Sequence, residues 1–410
     1  MSVGTISTRD ILIVGAGPGG SNAARVALDG GLSVVQIEAQ RFPRAKPCAG
    51  GITRKAERAL ALDIRPSLRG TSDTIEFNSW RKRTNRFTAR GGRDGAPEDA
   101  LVSFVSRAEF DADLVRQNGR SARFEFSDGE RVEHVEFDGV FRVRTSRRVL
   151  AARQLIGADG AYSIVNRAFA VARPRMLATA TEVNVPRSRL LVSARLVPSV
   201  DYGVVEGGYG WIFPKDDHLS IGLYTLAPKA RRLRERLVGY MLAKGVRPQG
   251  DPLEGLQAHR IPVGGFRMRT PDAPVYMVGD AAGLADALTG EGIYHALESG
   301  RLAGETAALV AAGKASHRSY YRRLWRSVLP DTALTYALST QFHRNADRSL
   351  RLLERAFVWR PLTYGYARGA TFTACVLRGV SYLVRSWART RCHKAVWEEA
   401  LADGNSGIGA

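Results

Sequence analysis

The chain has 410 residues, 44% of them hydrophobic, and 60 Lys and Arg against 40 Asp and Glu give a formal net charge of +20. Length and composition exclude a disordered chain and support a large core spread over two or three structural units; the three cysteines, Cys48, Cys375 and Cys392, are too few and too scattered for a disulfide framework or a metal site. No zinc-finger spacing, RNP-type sequence or basic block with interleaved aromatics speaks for nucleic acid, so the positive charge suits an anionic membrane surface, an acidic electron-carrier protein or simply a solvated surface. The N-terminus lacks a basic start leading into an apolar stretch, and no uninterrupted apolar run reaches the length of a membrane span, so a cytoplasmic protein is expected.

In chain order, the apolar strand Asp10–Gly15 runs directly into Gly15-Ala16-Gly17-Pro18-Gly19-Gly20 and a helix over Ser21–Leu28. Gly15, Gly17 and Gly20 have the spacing of a dinucleotide fold, in which glycines allow a tight turn and close backbone approach to a pyrophosphate. A second strand, Leu32–Ile37, ends in Glu38, 18 residues after Gly20; its carboxylate is expected to accept from the 2′-hydroxyl of an adenosine ribose. This motif alone does not choose between NAD and FAD.

Arg90–Asp99 reads as an exposed loop. The strand Leu101–Val105 leads to Ser106 and Glu109, expected to form a capping box for a helix over Ala108–Arg116. Arg107 then stands at the strand end, either facing the cofactor or as a surface residue beside a helix start. Gln154–Ser163 ends another strand in an acidic, glycine-bearing turn with Asp159, expected beside the nucleotide. Tyr209, Trp211 and Phe213 alternate along a strand and share one face, as an aromatic wall or simply as core.

After the strand Val275–Val278, Gly279-Asp280 offers a carboxylate to hydroxyls, and Gly290-Glu291-Gly292-Ile293 opens a helix. A helix N-terminus carries partial positive charge and favours a reduced, anionic flavin ring. That segment decides for FAD. The expected cofactor domain is discontinuous (8–70, 100–175 and 258–325); 71–99 and 176–257 alternate apolar and polar residues and predict a separate β-sheet as the substrate layer. Residues 326–404 read as helical, amphipathic and rich in arginine and aromatics, packing on their own domain or lying at a membrane interface.

With these segments in view, the chain resembles the geranylgeranyl reductase family of flavoproteins, within the class similar to para-hydroxybenzoate hydroxylase. The class resemblance rests on Gly15–Gly20, Glu38, Arg107 with Phe110-Asp111, Gly157-Ala158-Asp159-Gly160 and Gly279-Asp280; that to the reductases rests on Pro43–Gly51 and Tyr209–Lys215. It covers about residues 8–310 and implies an α/β fold: a Rossmann-type FAD-binding domain, an inserted antiparallel substrate sheet and a helical C-terminal region. It further implies that Cys48, Ala49 and Gly51 lie near the isoalloxazine and that Tyr209, Trp211 and Phe213 face it as a wall for an isoprenoid chain. Hydride from reduced flavin would saturate a carbon-carbon double bond, with a proton arriving near Cys48 or Tyr209. The chain departs from the family pattern at Ala49 (usually Gly), at Glu206 and Ala287 (usually Pro), and at Asn166, where the class often has arginine. A single GxGxxG leaves NADPH as a transient visitor or reduced ferredoxin as the electron donor. An isoprenoid or prenylated lipid substrate suggests peripheral attachment to the inner face of the cell membrane. The same frame also serves flavin monooxygenases and halogenases, the alternative reading.

Overall fold

The structure is a computed structural model that describes residues 7–80, 83–88, 100–191, 196–226, 231–353 and 369–381. The expected loop Arg90–Asp99, Cys392 and most of the expected helical stretch beyond 353 lie outside the described residues.

One seven-stranded sheet is centred on Thr8–Val14, which runs parallel to Val34–Ile37 on one side and to Val149–Gly157 on the other. Phe124–Ser127 extends the sheet beyond Val34–Ile37. The far edge of Val149–Gly157 is shared: its start pairs antiparallel with Val140–Thr145, itself joined to Val132–Asp138, and its end pairs parallel with Val275–Met277. Of the five parallel strands, the half-buried Phe124–Ser127 lies at the edge, and the other four are buried on both faces toward their carboxyl ends, which is why they read as near-continuous apolar runs. Their register aligns Val14 with Ile37 and Gly157, and Gly157 with Met277. The carboxyl ends therefore lie side by side, and the loops that follow open at one edge, where ligands of such sheets bind.

The helix Pro18–Asp29 returns over this sheet and crosses the helix Ile293–Ala311 at very short range: a Cβ on Gly300 would stand 2.2 Å from the carbonyl oxygen of Gly19. Only glycine on that face lets the two backbones approach so closely.

A second seven-stranded sheet runs in the order Gln257–Val263, Met176–Pro186, His218–Thr225, Gly208–Pro214, Ser199–Tyr202, Thr74–Ser79, Arg83–Thr88. All its pairings are antiparallel except that between Ser199–Tyr202 and Thr74–Ser79. Gln257–Val263, which the expected boundary at 257/258 puts almost wholly in the last cofactor segment, is the edge of this sheet, because its register to Met176–Pro186 continues the apolar face. The helix Leu233–Ala243 covers one face through Leu237, Tyr240 and Met241. The other face carries the aromatics and meets the helices Leu329–Arg344 and Ala346–Leu353 through Phe342 and Leu350. A small antiparallel sheet of Gly51–Thr53, Val102–Val105 and Leu68–Ser72 completes the fold.

The expected capping box does not form. The helix starts at Arg107; the Ser106 side chain makes no cap bond, and Glu109 turns outward to pair with Arg69 at 2.5 Å.

Candidate active site: a cofactor cleft joined to an aromatic wall

Hydrogen bonds carry the ladder past the strand ends: Gly15 N–H donates to the Ile37 carbonyl at 2.7 Å, Ala158 N–H to Val14 at 2.8 Å, and Val278 N–H to Gly157 at 2.9 Å. Gly15 has φ +102°, and a Cβ there would lie 2.2 Å from the Ala158 carbonyl oxygen. The turn therefore admits no side chain. Beyond it, Gly17, Pro18, Gly19 and Gly20 line one cleft together with Cys48, Arg107, Asp280, Gly290, Gly292 and Ile293, so ten of the expected site residues, spread over nearly 280 positions, come together.

The cleft suits a dinucleotide. Gly17 and Gly292 cap the two long helices that start there, and neither N-terminus is closed by a side chain, which leaves backbone N–H groups for phosphate or an anionic ring. The buried Nε of Arg44 has no hydrogen-bond partner, a donor suited to an oxygen-rich ligand. Lys46 stands 3.6 Å from Asp280 at the rim.

Glu38 is buried; its Oε2 accepts from Ala16 N–H and its Oε1 from Gln40 N–H, both at 3.0 Å. These bonds orient the carboxylate at the end of its strand. Arg44 reaches both Glu38 (3.4 Å) and the fully buried Asp111 (3.1 Å), while Arg107 grips Asp111 with two bonds of 2.9 and 2.7 Å. Burial works to lower the Arg107 pKa, yet Asp111 and Cys48 together carry it well above the usual guanidinium value. Arg107 is thus a buried, charged, fixed residue. In sequence Arg44 is one residue of the Pro43–Gly51 segment with no evident role, because Asp111, its partner, is far away in the chain.

Five expected cofactor residues, Glu38 among them, do not line the cleft. Asp159 accepts from Ser163 Oγ at 2.5 Å and Ile164 N–H at 2.7 Å, binding the start of the helix Ile164–Phe169; burial pushes its carboxyl pKa up. Its neighbour Gly160 lines the cleft instead. Ala49 packs against the aromatic cluster, and Gly51 faces Phe213, whose ring would lie 3.2 Å from a Cβ. Gly15 shapes the turn from beneath.

The loop before the second helix rests on a buried polar group. Asp286 accepts from Leu288 and Thr289 N–H at 2.7 and 2.9 Å, and Lys55 meets Glu291 at 2.7 Å. Burial opposes the Lys55 charge, but Glu291 and Asp331 outweigh it and raise its pKa. Nothing in the local sequence around Lys55 signals this pairing.

Tyr209, Trp211 and Phe213 do share one face of Gly208–Pro214, joined there by Tyr202 and Tyr224 from the flanking strands. The rings of Tyr209 and Tyr224 stack at 5.1 Å, and Tyr202 meets Tyr209 at 5.5 Å. Trp211 lies over Gly222, where a Cβ would be 2.2 Å from the indole. The indole N–H donates to Ser220 Oγ at 3.1 Å, which donates to Glu182 at 3.1 Å. Tyr209 donates to the Thr289 carbonyl and Tyr224 to that of Ala287 at 3.2 Å. The wall is therefore bonded to the loop whose Gly290 lines the cofactor cleft.

Residues 8–197 match the family model for an FAD binding domain. An uncharacterized protein of Methanosarcina barkeri is 33% identical over 365 residues, 88% of this chain and 91% of that protein. The menaquinone reductase of Mycolicibacterium smegmatis is 31% identical over 78% of this chain and 80% of its own length, and the digeranylgeranylglycerophospholipid reductase of Methanosarcina mazei 27% over 78% and 81%. Among solved structures, a geranylgeranyl bacteriochlorophyll reductase-like protein from Thermoplasma acidophilum superimposes with a TM-score of 0.73 at 19% identity, covering 91% of this chain and 96% of that one, so the fold is shared. A flavin cleft at the strand ends, an aromatic sheet bonded to its rim and relatives along most of the chain lead to one conclusion: this chain belongs to the geranylgeranyl reductase family of FAD-dependent oxidoreductases.

Proposed function

We propose that this enzyme saturates carbon-carbon double bonds in a geranylgeranyl or related polyprenyl group. The observation that carries the reading is the bonding of the aromatic wall to the loop Ala287–Gly290, which sets a buried apolar cluster against the rim of the cofactor cleft. FAD, held by the Gly15–Gly20 turn, Glu38, Arg107, Asp280 and the Gly290–Ile293 helix start, supplies hydride chemistry when bound. Trp211 and Phe213 orient the isoprenoid and, with Tyr202 and Tyr224, exclude water. Burial and the neighbouring tyrosines hold the Tyr209 hydroxyl pKa well above its usual value, and its proton is engaged by Thr289. Cys48, on the cleft wall, is the better proton source.

The names of the menaquinone and digeranylgeranylglycerophospholipid reductases support an isoprenoid substrate. NADPH or reduced ferredoxin would bring electrons in a transient encounter. Among the described residues no helix is long and apolar enough to cross a membrane. Arg173, Arg175, Arg267 and Arg269 instead open onto a groove of about 910 Å³ beside Trp325, which is 55% exposed. This favours peripheral contact with an anionic lipid surface.

The test is product analysis without oxygen. Dithionite-reduced protein is incubated separately with a geranylgeranyl phospholipid, geranylgeranyl diphosphate and a menaquinone. Gain of one H2 per double bond in at least one lipid supports the proposal; unchanged masses in all three, with flavin bound, overturn it.

A further inference from the structure

Near Cys48 lie two buried titratable groups that the proposed reduction does not use. Glu182 is 4% exposed and Lys215 3%. Glu182 projects from Met176–Pro186, Lys215 follows Gly208–Pro214, and Cys48 comes from the loop before the small sheet. Gly50 makes their meeting feasible: its φ is +71°, and a Cβ there would be 3.0 Å from Lys215 Nζ. One Glu182 oxygen accepts from Ser220; the other, Oε2, is buried and has no partner of full hydrogen-bond geometry, with the Cys48 N–H beside the carboxylate.

The two groups and the sulfur form one electrostatic unit. Lys215 lies within electrostatic range of Glu182, Cys48, Asp217 and Arg107, and Arg107 is also in hydrogen-bonding reach of the Cys48 sulfur. Burial raises the Glu182 pKa, though Lys215, Ser220 and the Cys48 N–H oppose it; burial lowers that of Lys215, with Glu182 and Cys48 opposing. A carboxyl drawn up and an amine drawn down exchange a proton readily. An exit to solvent adjoins them. Asp217, its side chain 73% exposed, meets His218 at 2.6 Å, and His218 feels the Lys215 charge and that of Arg187.

We infer that Glu182 and Lys215 are a buried proton reservoir for the sulfur of Cys48, acting on the substrate through it. The inference rests on the polyprenyl-reductase reading. Saturating an alkene adds one hydride, which carries both electrons and comes from the reduced cofactor, and one proton. The Cys48 S–H bond breaks as the second C–H bond forms, leaving a thiolate beside the Arg107 guanidinium. The Lys215 ammonium returns a proton to sulfur. The amine, with Glu182 as its partner, is recharged from the Asp217 and His218 side. Lys215 and Glu182 are positioning residues, since neither touches the reacting carbons.

The test has one arm that needs no substrate. In the oxidised holoprotein, alkylation of Cys48 by iodoacetamide is followed on its own peptide by mass spectrometry across neutral to alkaline pH. Lys215→Met should slow it about ten-fold near neutrality, because the cation that favours thiolate is gone. Lys215→Arg keeps the charge and should hold the rate within about two-fold, yet arginine does not release its proton. In a single turnover of reduced enzyme with the lipid, Lys215→Arg should therefore cut reduction about ten-fold with flavin content unchanged. Glu182→Gln should flatten the pH profile of that turnover. Equal alkylation of wild type and Lys215→Met across the range overturns the reservoir; if the Met variant does not hold flavin, wild-type turnover in Lys215→Arg overturns it as decisively. Alkylation that responds as expected in a wild-type protein that reduces no prenyl lipid overturns the assigned substrate and leaves the Lys215–Cys48 coupling standing.

Discussion

The cofactor cleft and the aromatic wall meet at one loop but are built from different materials. The cleft is made of backbone: glycine turns, helix N-termini and strand ends in register, with few side chains reaching inward. The wall is made of side chains brought from distant segments, Tyr202, Tyr209, Trp211, Tyr224 and Phe342, and its shape depends on how they pack. A backbone site leaves its mark in sequence as fixed glycine spacings. A side-chain site leaves only alternating aromatics, which a plain core strand also shows. Changes in the first region should therefore cost cofactor and fold together, and changes in the second should separate substrate use from flavin content.

The largest effect is expected at Gly15. Gly15→Ala would drive a Cβ into the Ala158 carbonyl and impose φ +102° on an L side chain, costing about 3 kcal/mol or more; the purified variant should have lost most of its flavin absorbance. Trp211→Ala comes next. It removes a buried indole at a cost of roughly 3 kcal/mol, and it should weaken prenyl-substrate use about ten-fold while flavin content stays at wild-type level. Loss of flavin in that variant would make the wall part of the cofactor's own support and erase the contrast.

His343, buried beside Tyr202 and Tyr209, tests whether the wall is as dry as its composition implies. Burial lowers its pKa from the usual 6.5 to about 4, although the carbonyls of Ala287 and Leu288 work the other way. The folded protein thus binds fewer protons there than the unfolded chain, so stability falls as pH drops below 6.5, by about 3 kcal/mol once pH reaches 4. Urea midpoints at pH about 7 and 5 should draw closer together in His343→Leu than in wild type; an unchanged difference contradicts a dry wall. A smaller effect is expected at the ribose end, where Glu38→Gln should weaken FAD by about ten-fold in a titration of apoprotein. The smallest concerns the surface: replacing Arg173 and Arg267 with glutamine should lower binding to anionic vesicles by only about 1 kcal/mol per charge, and added salt should erase the difference.

What was legible in the sequence follows the same division. Gly15, Gly17, Gly20 and Glu38 announce their fold because the chemistry of a pyrophosphate turn fixes both residue type and spacing. Asp280 and Gly290–Ile293, roughly 260 residues later, carry the same kind of signal and line the same cleft. Tyr209, Trp211 and Phe213 were visible as one strand face, but Tyr202 and Tyr224 were not, because which strands flank Gly208–Pro214 is decided by long-range pairing. Gln257–Val263 was placed with the cofactor segments because a strand's sequence does not name its sheet. Arg44, Lys55, Glu182 and Lys215 were missed as functional residues, each buried by a charge partner far away in the chain. Ser106 and Glu109 matched a capping box in spacing, yet a tertiary ion pair with Arg69 took Glu109 instead.

The most direct test of the joined cleft and wall is anaerobic stopped flow: flavin reduced by dithionite, excess reductant removed, geranylgeranyl lipid added, and flavin absorbance followed with product mass. The flavin should reoxidise without oxygen, by one equivalent for each double bond saturated, and more slowly in Trp211→Ala. A flavin that stays reduced in the presence of every prenyl lipid, and reoxidises only when oxygen is admitted, would contradict it.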